Sequence, residues 1–141
     1  MKAAMMIADY AEAVNGKLYM MGAGWSDALA SPDGLVDCYV AVTFAFTPDE
    51  VRSKHTLEIR LVDSEDGQVK INGREVMHGG TFVVGPVSEA TKATAVVSNL
   101  AAQFKGLPLG SGAYAFVLTV DDVELQRAEF GVSRQPEGEE Q

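Results

Sequence analysis

The residues that could carry chemistry in this chain are few, and their spacing matches no catalytic pattern. The two histidines, His55 and His78, have no Asp or Glu at ligand spacing, whereas a metal site needs three or four converging ligands. We therefore expect both rings to be solvated or satisfied by hydrogen bonds. The sequence contains no GxSxG elbow, P-loop or HExxH motif, and Gly22-Ala23-Gly24 lacks the third glycine and following helix of a dinucleotide site.

Adjacent carboxylates occur twice, at Glu65-Asp66 and at Asp121-Asp122. Both pairs fall in predicted turns, where Asp is favoured because its side chain bonds to its own backbone. General acid–base catalysis needs carboxylates in a pocket that shifts their pKa values, and nothing in the pattern predicts such a pocket. We expect a protein that is not an enzyme, with no catalytic residue, no metal and no cofactor.

The lone cysteine, Cys38, cannot form an intramolecular disulfide. It lies inside the apolar run Leu35–Phe46 and alternates with valines. This position predicts a buried thiol that packs as a small hydrophobic side chain and not a reactive one.

Four residues are candidates for a binding surface: Trp25, Asp9, Tyr10 and Met20. Trp25, the only tryptophan, is either a core side chain whose indole N–H bonds to a carbonyl or an aromatic anchor. Asp9 is expected to cap the turn that follows it, with ligand binding as the alternative. Met20 belongs to a cluster that either fills a core irregularity or forms a pliable interface. The cluster consists of Met5, Met6, Met20 and Met21.

The elements that position these residues are short segments with apolar side chains at every second residue. Leu57, Ile59 and Leu61 alternate with polar residues, the period of a half-buried β-strand; Tyr114, Phe116, Leu118 and Val120 repeat the pattern. Leu35–Phe46 is apolar on both faces and predicts a central strand. Thr47-Pro48-Asp49-Glu50 matches a capping box and predicts one short helical turn over residues 48–53.

Turns separate these segments and indicate the fold. A first strand is predicted at 2–9, followed by a separate stretch at Ala11–Val14. Asn15-Gly16 then predicts a hairpin turn into a second strand at Lys17–Met21. A loop is expected from Gly22 to Gly34, and a looser backbone at His78-Gly79-Gly80. We predict an all-β antiparallel sandwich of about eight strands, Ig-like or jelly-roll-like, over residues 1–133. Residues 134–141 are predicted to be an acidic tail.

The composition argues against some classes of binding partner. The 20 acidic and 11 basic residues give a net charge of −9, which argues against nucleic acid and anionic membranes. No apolar run approaches the ~18 residues of a membrane helix, and the N-terminal apolar stretch is too short for a signal peptide. We expect a cytoplasmic protein, or one on a virion surface if a phage encodes it.

Two terminal segments are similar to an uncharacterised family of small bacterial and phage-borne proteins. The resemblance rests on Ala8-Asp9-Tyr10-Ala11, Asn15-Gly16-Lys17-Leu18-Tyr19, Gly22-Ala23-Gly24-Trp25, Leu109–Leu118 and Val120-Asp121. It implies a β-sandwich and carries no activity.

Two functional hypotheses follow. The first is a non-enzymatic binding or assembly module that uses protein–protein contacts, including self-association, with a capsid decoration subunit as its concrete form. The alternative is a small-molecule-binding or catalytic sandwich with a pocket near Trp25, Asp9 and Gly79-Gly80.

Overall fold

The computed structural model describes residues 1–51, 53–84 and 96–134, which form eleven strands and a 3₁₀ turn at Pro48–Glu50. The strands are β1 (Lys2–Val14), β2 (Lys17–Ala23), β3 (Asp27–Ala30), β4 (Val36–Phe46), β5 (Lys54–Asp63), β6 (Lys70–Ile71), β7 (Arg74–Glu75), β8 (Met77–Val83), β9 (Val96–Leu107), β10 (Gly112–Val120) and β11 (Val123–Arg134). Residues 135–141 of the predicted tail lie outside the described residues.

Two sheets pack face to face and confirm the predicted β-sandwich. Sheet A has the order β2-β1-β4-β9, sheet B has the order β3-β11-β10-β5-β8, and β6 and β7 form a separate small hairpin. All pairings between the described strands of the two sheets are antiparallel except that of β3 with β11, which is parallel. In the described part of the chain, no helix is long and apolar enough to cross a membrane.

The core lies between the sheets and follows the predicted alternation. Ile59 and Leu61 of β5 and Phe116 and Leu118 of β10 are fully buried. Cys38 is buried among them, as expected, and burial first, with the charge of Asp37, raises the pKa of its thiol to about 12. Because a thiolate is the reactive form, this cysteine packs as a hydrophobic side chain.

The central strand β4 is covered on both faces, as predicted. Val40 and Val42 point into the core, so Ala41 between them points outward, yet only 2% of its surface is exposed. The β1–β2 hairpin covers it. Ala11 and Leu18 of this hairpin pack against Ala41, and Ala8, Tyr39 and Ala101 complete the cluster.

Several local predictions were wrong, each because tertiary pairing overrode a weak local signal. Strand β1 runs unbroken to Val14, since its second half pairs with β2 after its first half leaves β4. Strand β3 lies within the predicted loop, where Asp27–Ala30 pairs with the end of β11. The helical turn ends at Glu50, since Val51 is already extended. Gly79 and Gly80 are part of strand β8 and not of a loop.

The sandwich has two different lateral edges. At one, which we call the closed edge, Gly24-Trp25-Ser26 carries the chain from β2 in sheet A to β3 in sheet B. At the other, the open edge, β8 of sheet B lies opposite β9 of sheet A.

Candidate functional site

The exposed apolar residues concentrate on the β1–β2 hairpin. Ten large hydrophobic side chains are exposed in the described residues, and six of them belong to these two strands. We call these six the hairpin surface: Met6, Tyr10, Val14, Tyr19, Met20 and Met21. Met21 is 70% exposed, the highest value of the ten.

The register of the hairpin explains the arrangement. Tyr10 lies opposite Met21, and Glu12 lies opposite Tyr19, so these side chains share one face of the hairpin. The turn at Asn15-Gly16, with φ values of 51° and 72° at the two residues, has the left-handed conformation expected for a tight hairpin.

The other face of the hairpin is fixed to the sandwich. Ala11 and Leu18 pack against the outer side of sheet A. At the hairpin tip, the Asn99 side-chain amide of β9 donates a 3.0 Å hydrogen bond to the Gly16 carbonyl. The hairpin therefore has an apolar inner face that is covered and an outer face that is also largely apolar.

The outer face holds few charges. Tyr10 packs edge-on against Tyr39, with ring centroids 5.1 Å apart, and its hydroxyl donates to Glu12 at 3.0 Å. This hydrogen bond and the Glu12 charge raise the pKa of Tyr10. Strand β2 forms the edge of sheet A and has no acidic residue or proline, with Lys17 as its one charge. Edge strands are normally protected by proline or by charged side chains, lysine especially. Strand β2 has such a residue only at its first position, and among the described residues no strand pairs with its outer edge.

The four candidate binding residues divide into two pairs. Tyr10 and Met20 both belong to the hairpin surface, but on different faces: Tyr10 lies opposite Met21 on the outer face, whereas Met20 lies opposite Ala11 on the inner face and is 39% exposed. Trp25 instead packs against the core, edge-on to Phe130 with ring centroids 6.1 Å apart. Its Nε1 is buried, and no carbonyl among the described residues accepts a hydrogen bond from it.

Asp9 does not cap a turn, contrary to the expectation. Strand β1 continues past it to Val14. Its carboxylate lies against Gly22, where a Cβ atom would approach Asp9 Oδ2 to 2.3 Å, and Gly22 has a φ of +61°. Asp9 also borders a small cleft with Tyr39 of β4 and Lys105 of β9. Trp25 lies at the closed edge, whereas Gly79 and Gly80 lie at the open edge. The structure does not bring these residues into one pocket.

Sequence reasoning did not single out Tyr19 and Val14. The signal was present, because the hairpin segments alternate with apolar residues on both faces. A hairpin that lies flat on a sheet needs only one apolar face.

His55 is a satisfied histidine, although its acidic partner comes from far along the chain. Its Nδ1 lies 2.8 Å from Oδ2 of Asp121, 66 residues away, and its Nε2 lies 3.1 Å from the Glu50 carbonyl. The ring is buried and stacks on Phe46. The bond to Asp121 and then that to Glu50 raise the pKa of His55, and His55 with the Thr56 N–H lowers the pKa of Asp121.

The hydrogen-bond network of His55 continues through Glu50 to the N-terminal ammonium of Met1. Oε1 of Glu50 accepts from the Thr47 N–H at 2.8 Å and pairs with the Met1 ammonium at 2.9 Å. The Thr47 bond first, and then this ammonium, lower the pKa of Glu50 to about 2. Since both nitrogens of His55 are engaged by acceptors, the ring has no position left to take a proton from a substrate. Its role is structural.

Among the residues that the structure describes, no group of three or more His, Cys, Asp or Glu side chains could hold a metal ion. The second histidine, His78, is also hydrogen-bonded, with Nε2 2.5 Å from the Gln103 carbonyl. The expectation of satisfied histidines is therefore confirmed for both rings.

Comparison with known proteins places the chain in a family. Residues 3–133 match the model of a family described as a family of unknown function, DUF6941. The chain belongs to this family. The search of the curated proteins found no match. The resemblance expected from the two terminal segments is confirmed as far as an uncharacterised family.

Proposed function

We propose that the protein is a non-enzymatic assembly module and that the hairpin surface binds a second copy of the same chain. One observation carries this proposal: the β1–β2 hairpin is largely apolar on both faces, and the described residues cover only one of them. A hairpin that faces solvent normally alternates apolar and polar side chains. A concentrated exposed apolar patch on a small domain is typical of an interaction site.

The residue types support a protein partner. Tyrosine and methionine are enriched in the buried centres of interfaces, where charged residues are depleted. Tyrosine presents a large rigid surface at a small entropic cost, and methionine adapts to an irregular partner surface. Tyr10, Tyr19 and Met21 share the outer face and form the centre of the proposed contact.

The free edge of β2 supports a second copy as the partner. Two copies related by a two-fold axis can pair their β2 strands antiparallel, which extends sheet A across the interface. A two-fold contact of this kind places the same residues on both sides, so it needs no complementary surface elsewhere on the protein.

Sedimentation velocity tests the proposal on the full chain. We expect the wild-type protein to be a dimer or larger at micromolar concentration, and Met21→Lys to be a monomer with an unchanged melting temperature. Val123→Lys is the matched control, because Val123 is 59% exposed but begins β11. It should associate as the wild type does. A monomeric wild type at the highest soluble concentration, or association by Met21→Lys equal to that of wild type, would overturn the proposal.

The capsid decoration subunit is a narrower form of this proposal. A compact acidic domain suits such a role, since it coats a shell without binding the nucleic acid inside. If the protein is a capsid decoration subunit, we expect genes for phage head proteins next to its coding sequence. A locus far from any prophage would contradict this role.

A further inference from the structure

The open edge contains a cavity of about 390 Å³ between the two sheets. Strand β8 forms one wall, strand β9 forms the other, and Phe44 and Leu57 contribute from the neighbouring strands. This volume lies within the range of small-molecule pockets. The site is separate from the hairpin surface of the proposed function.

One missing side chain creates the space. Gly80 lies opposite Leu57, a core residue of β5, so position 80 is on the face of β8 that borders the cavity, and it is exposed to solvent there. Its neighbours on the same face are His78 and Phe82, which lie opposite Ile59 and His55. A Cβ atom built on Gly80 would meet no atom within 4 Å. The cavity therefore lies where a larger residue would place its side chain.

The backbone does not require glycine at this position. Gly80 is not among the glycines with positive φ, so any residue could adopt its conformation. Glycine inside a strand costs stability and often marks a close approach of a ligand. The use of glycine at an extended position that borders the cavity and has room for a side chain indicates that the space itself is used.

Rings bound the cavity at both ends. At one end, His78 packs edge-on against Phe104 of β9 with ring centroids 4.7 Å apart, and its Nε2–H donates to the Gln103 carbonyl. This bond joins β8 to β9 across the opening. At the other end, Phe82 packs against Phe44 with ring centroids 5.7 Å apart.

The lining indicates the chemistry of the ligand. Charged residues make up 22% of the chain, yet no Asp, Glu, Lys or Arg lines this cavity, all of whose lining residues the structure describes. A charged ligand would lose its hydration on entering the cavity and would find no opposite charge there. Thr81, Ser98 and Gln103 supply neutral polar groups among the apolar ones.

From these observations we infer that the open edge is a binding site for an uncharged, largely apolar small molecule, seated over Gly80 between β8 and β9. The rings at the two ends hold its apolar body, and the neutral polar groups orient it. Binding here needs no change in the hairpin surface, so the two proposals can fail independently.

Titration with the neutral fluorescent probe N-phenyl-1-naphthylamine tests the site. The wild type should give saturable enhancement with one site per chain. Gly80→Leu should weaken the affinity at least tenfold and raise the melting temperature, because leucine fills the cavity. Gly110→Leu is the matched control, because Gly110 also lacks a positive φ and a Cβ atom built there meets no atom within 4 Å, but it does not line the cavity. It should bind the probe as the wild type does. Met21→Lys should also bind normally, which separates this site from the hairpin surface.

Amide NMR on the wild type locates the probe without any substitution. Shifts should change at Gly80, Thr81 and Leu100 and not at Tyr19 or Met21. The inference is overturned by the absence of saturable binding, by wild-type affinity in a folded Gly80→Leu variant, or by shift changes confined to the hairpin.

Discussion

The closed and open edges of the sandwich differ in whether the space between the two sheets is filled. At the closed edge the chain crosses between the sheets, and Trp25 fills the space beside Phe130. At the open edge no described segment covers the gap beside Gly80, and a cavity of about 390 Å³ remains. The comparison shows that a crossing segment and one large ring fill the border of the sandwich at the closed edge, whereas a glycine without a covering side chain borders a pocket at the open edge.

Glycine also has different roles at the two edges. Gly24 has a φ of +85° and a Cβ atom there would meet nothing within 4 Å, so its backbone conformation is the reason for glycine. Gly80 has no positive φ, and the presence of glycine there is explained by the cavity that it borders. The same residue type is thus a backbone requirement at one edge and an absent side chain at the other.

The largest expected effect comes from opening the closed edge. Trp25→Ala should lower the free energy of unfolding by about 3 kcal/mol, because it leaves a cavity against the core. Urea denaturation measures this change. Trp25→Phe should cost less, since it keeps the ring and removes an N–H that has no partner among the described residues. Equal losses for the two variants would show that the ring does not fill the edge.

A smaller effect distinguishes the two glycines. Gly24→Ala should cost about 1 kcal/mol through backbone strain. Gly80→Ala should instead stabilise the protein by about 0.5 kcal/mol, because alanine is favoured over glycine in an extended strand. Thermal unfolding of the two variants side by side measures both signs. A loss of stability in Gly80→Ala would contradict the distinction between them.

The smallest effect is the pH dependence of the His55 network, which packs against Phe82 at the open edge. The pKa of His55 is raised above its ordinary value, so its stabilisation is complete below about pH 6.5 and is lost as pH rises through the raised pKa. The pKa of Glu50 falls from 4.5 to about 2. Its stabilisation is present above pH 4.5 and is lost as pH falls toward 2.

These signs place the stability maximum of the network between the ordinary pKa values of Glu50 and His55. Asp121→Asn keeps an acceptor oxygen and removes the charge, so it should flatten the loss on the alkaline side. Melting temperatures across pH 5 to 9 measure this, roughly spanning the ordinary His value. Asp122→Asn, at the neighbouring exposed turn position, is the control. Parallel profiles for Asp121→Asn and the wild type would contradict the assigned partner.

Much of the fold could be predicted because its signals are local. The alternation of apolar and polar residues around Ile59 and Phe116 indicates strands with one buried face. Asn15-Gly16 indicates a tight turn, because both residues tolerate a positive φ. The burial of Cys38 follows from its place in an apolar run. Each prediction depends on residues within a few positions of one another.

The candidate site was only half predictable. Tyr10, Met20 and the methionine cluster pointed to the β1–β2 hairpin, but not to its course over the outer side of sheet A, which depends on Ala41 and on Asn99 of β9. The pairing of His55 with Asp121 spans 66 residues, and no local spacing encodes it. Contacts of this range become visible only when the strands are assembled.

By itself, the sequence determined that the chain forms strands, where many of them turn, and which strands have one apolar and one polar face, because these properties follow from side-chain periodicity and turn chemistry. Only the tertiary structure decided which apolar faces are covered. Ala41 is hidden under the hairpin, Tyr19 and Met21 remain exposed, and Gly80 borders a cavity. Burial is a property of which strands become neighbours, and that choice is made by packing across the whole domain.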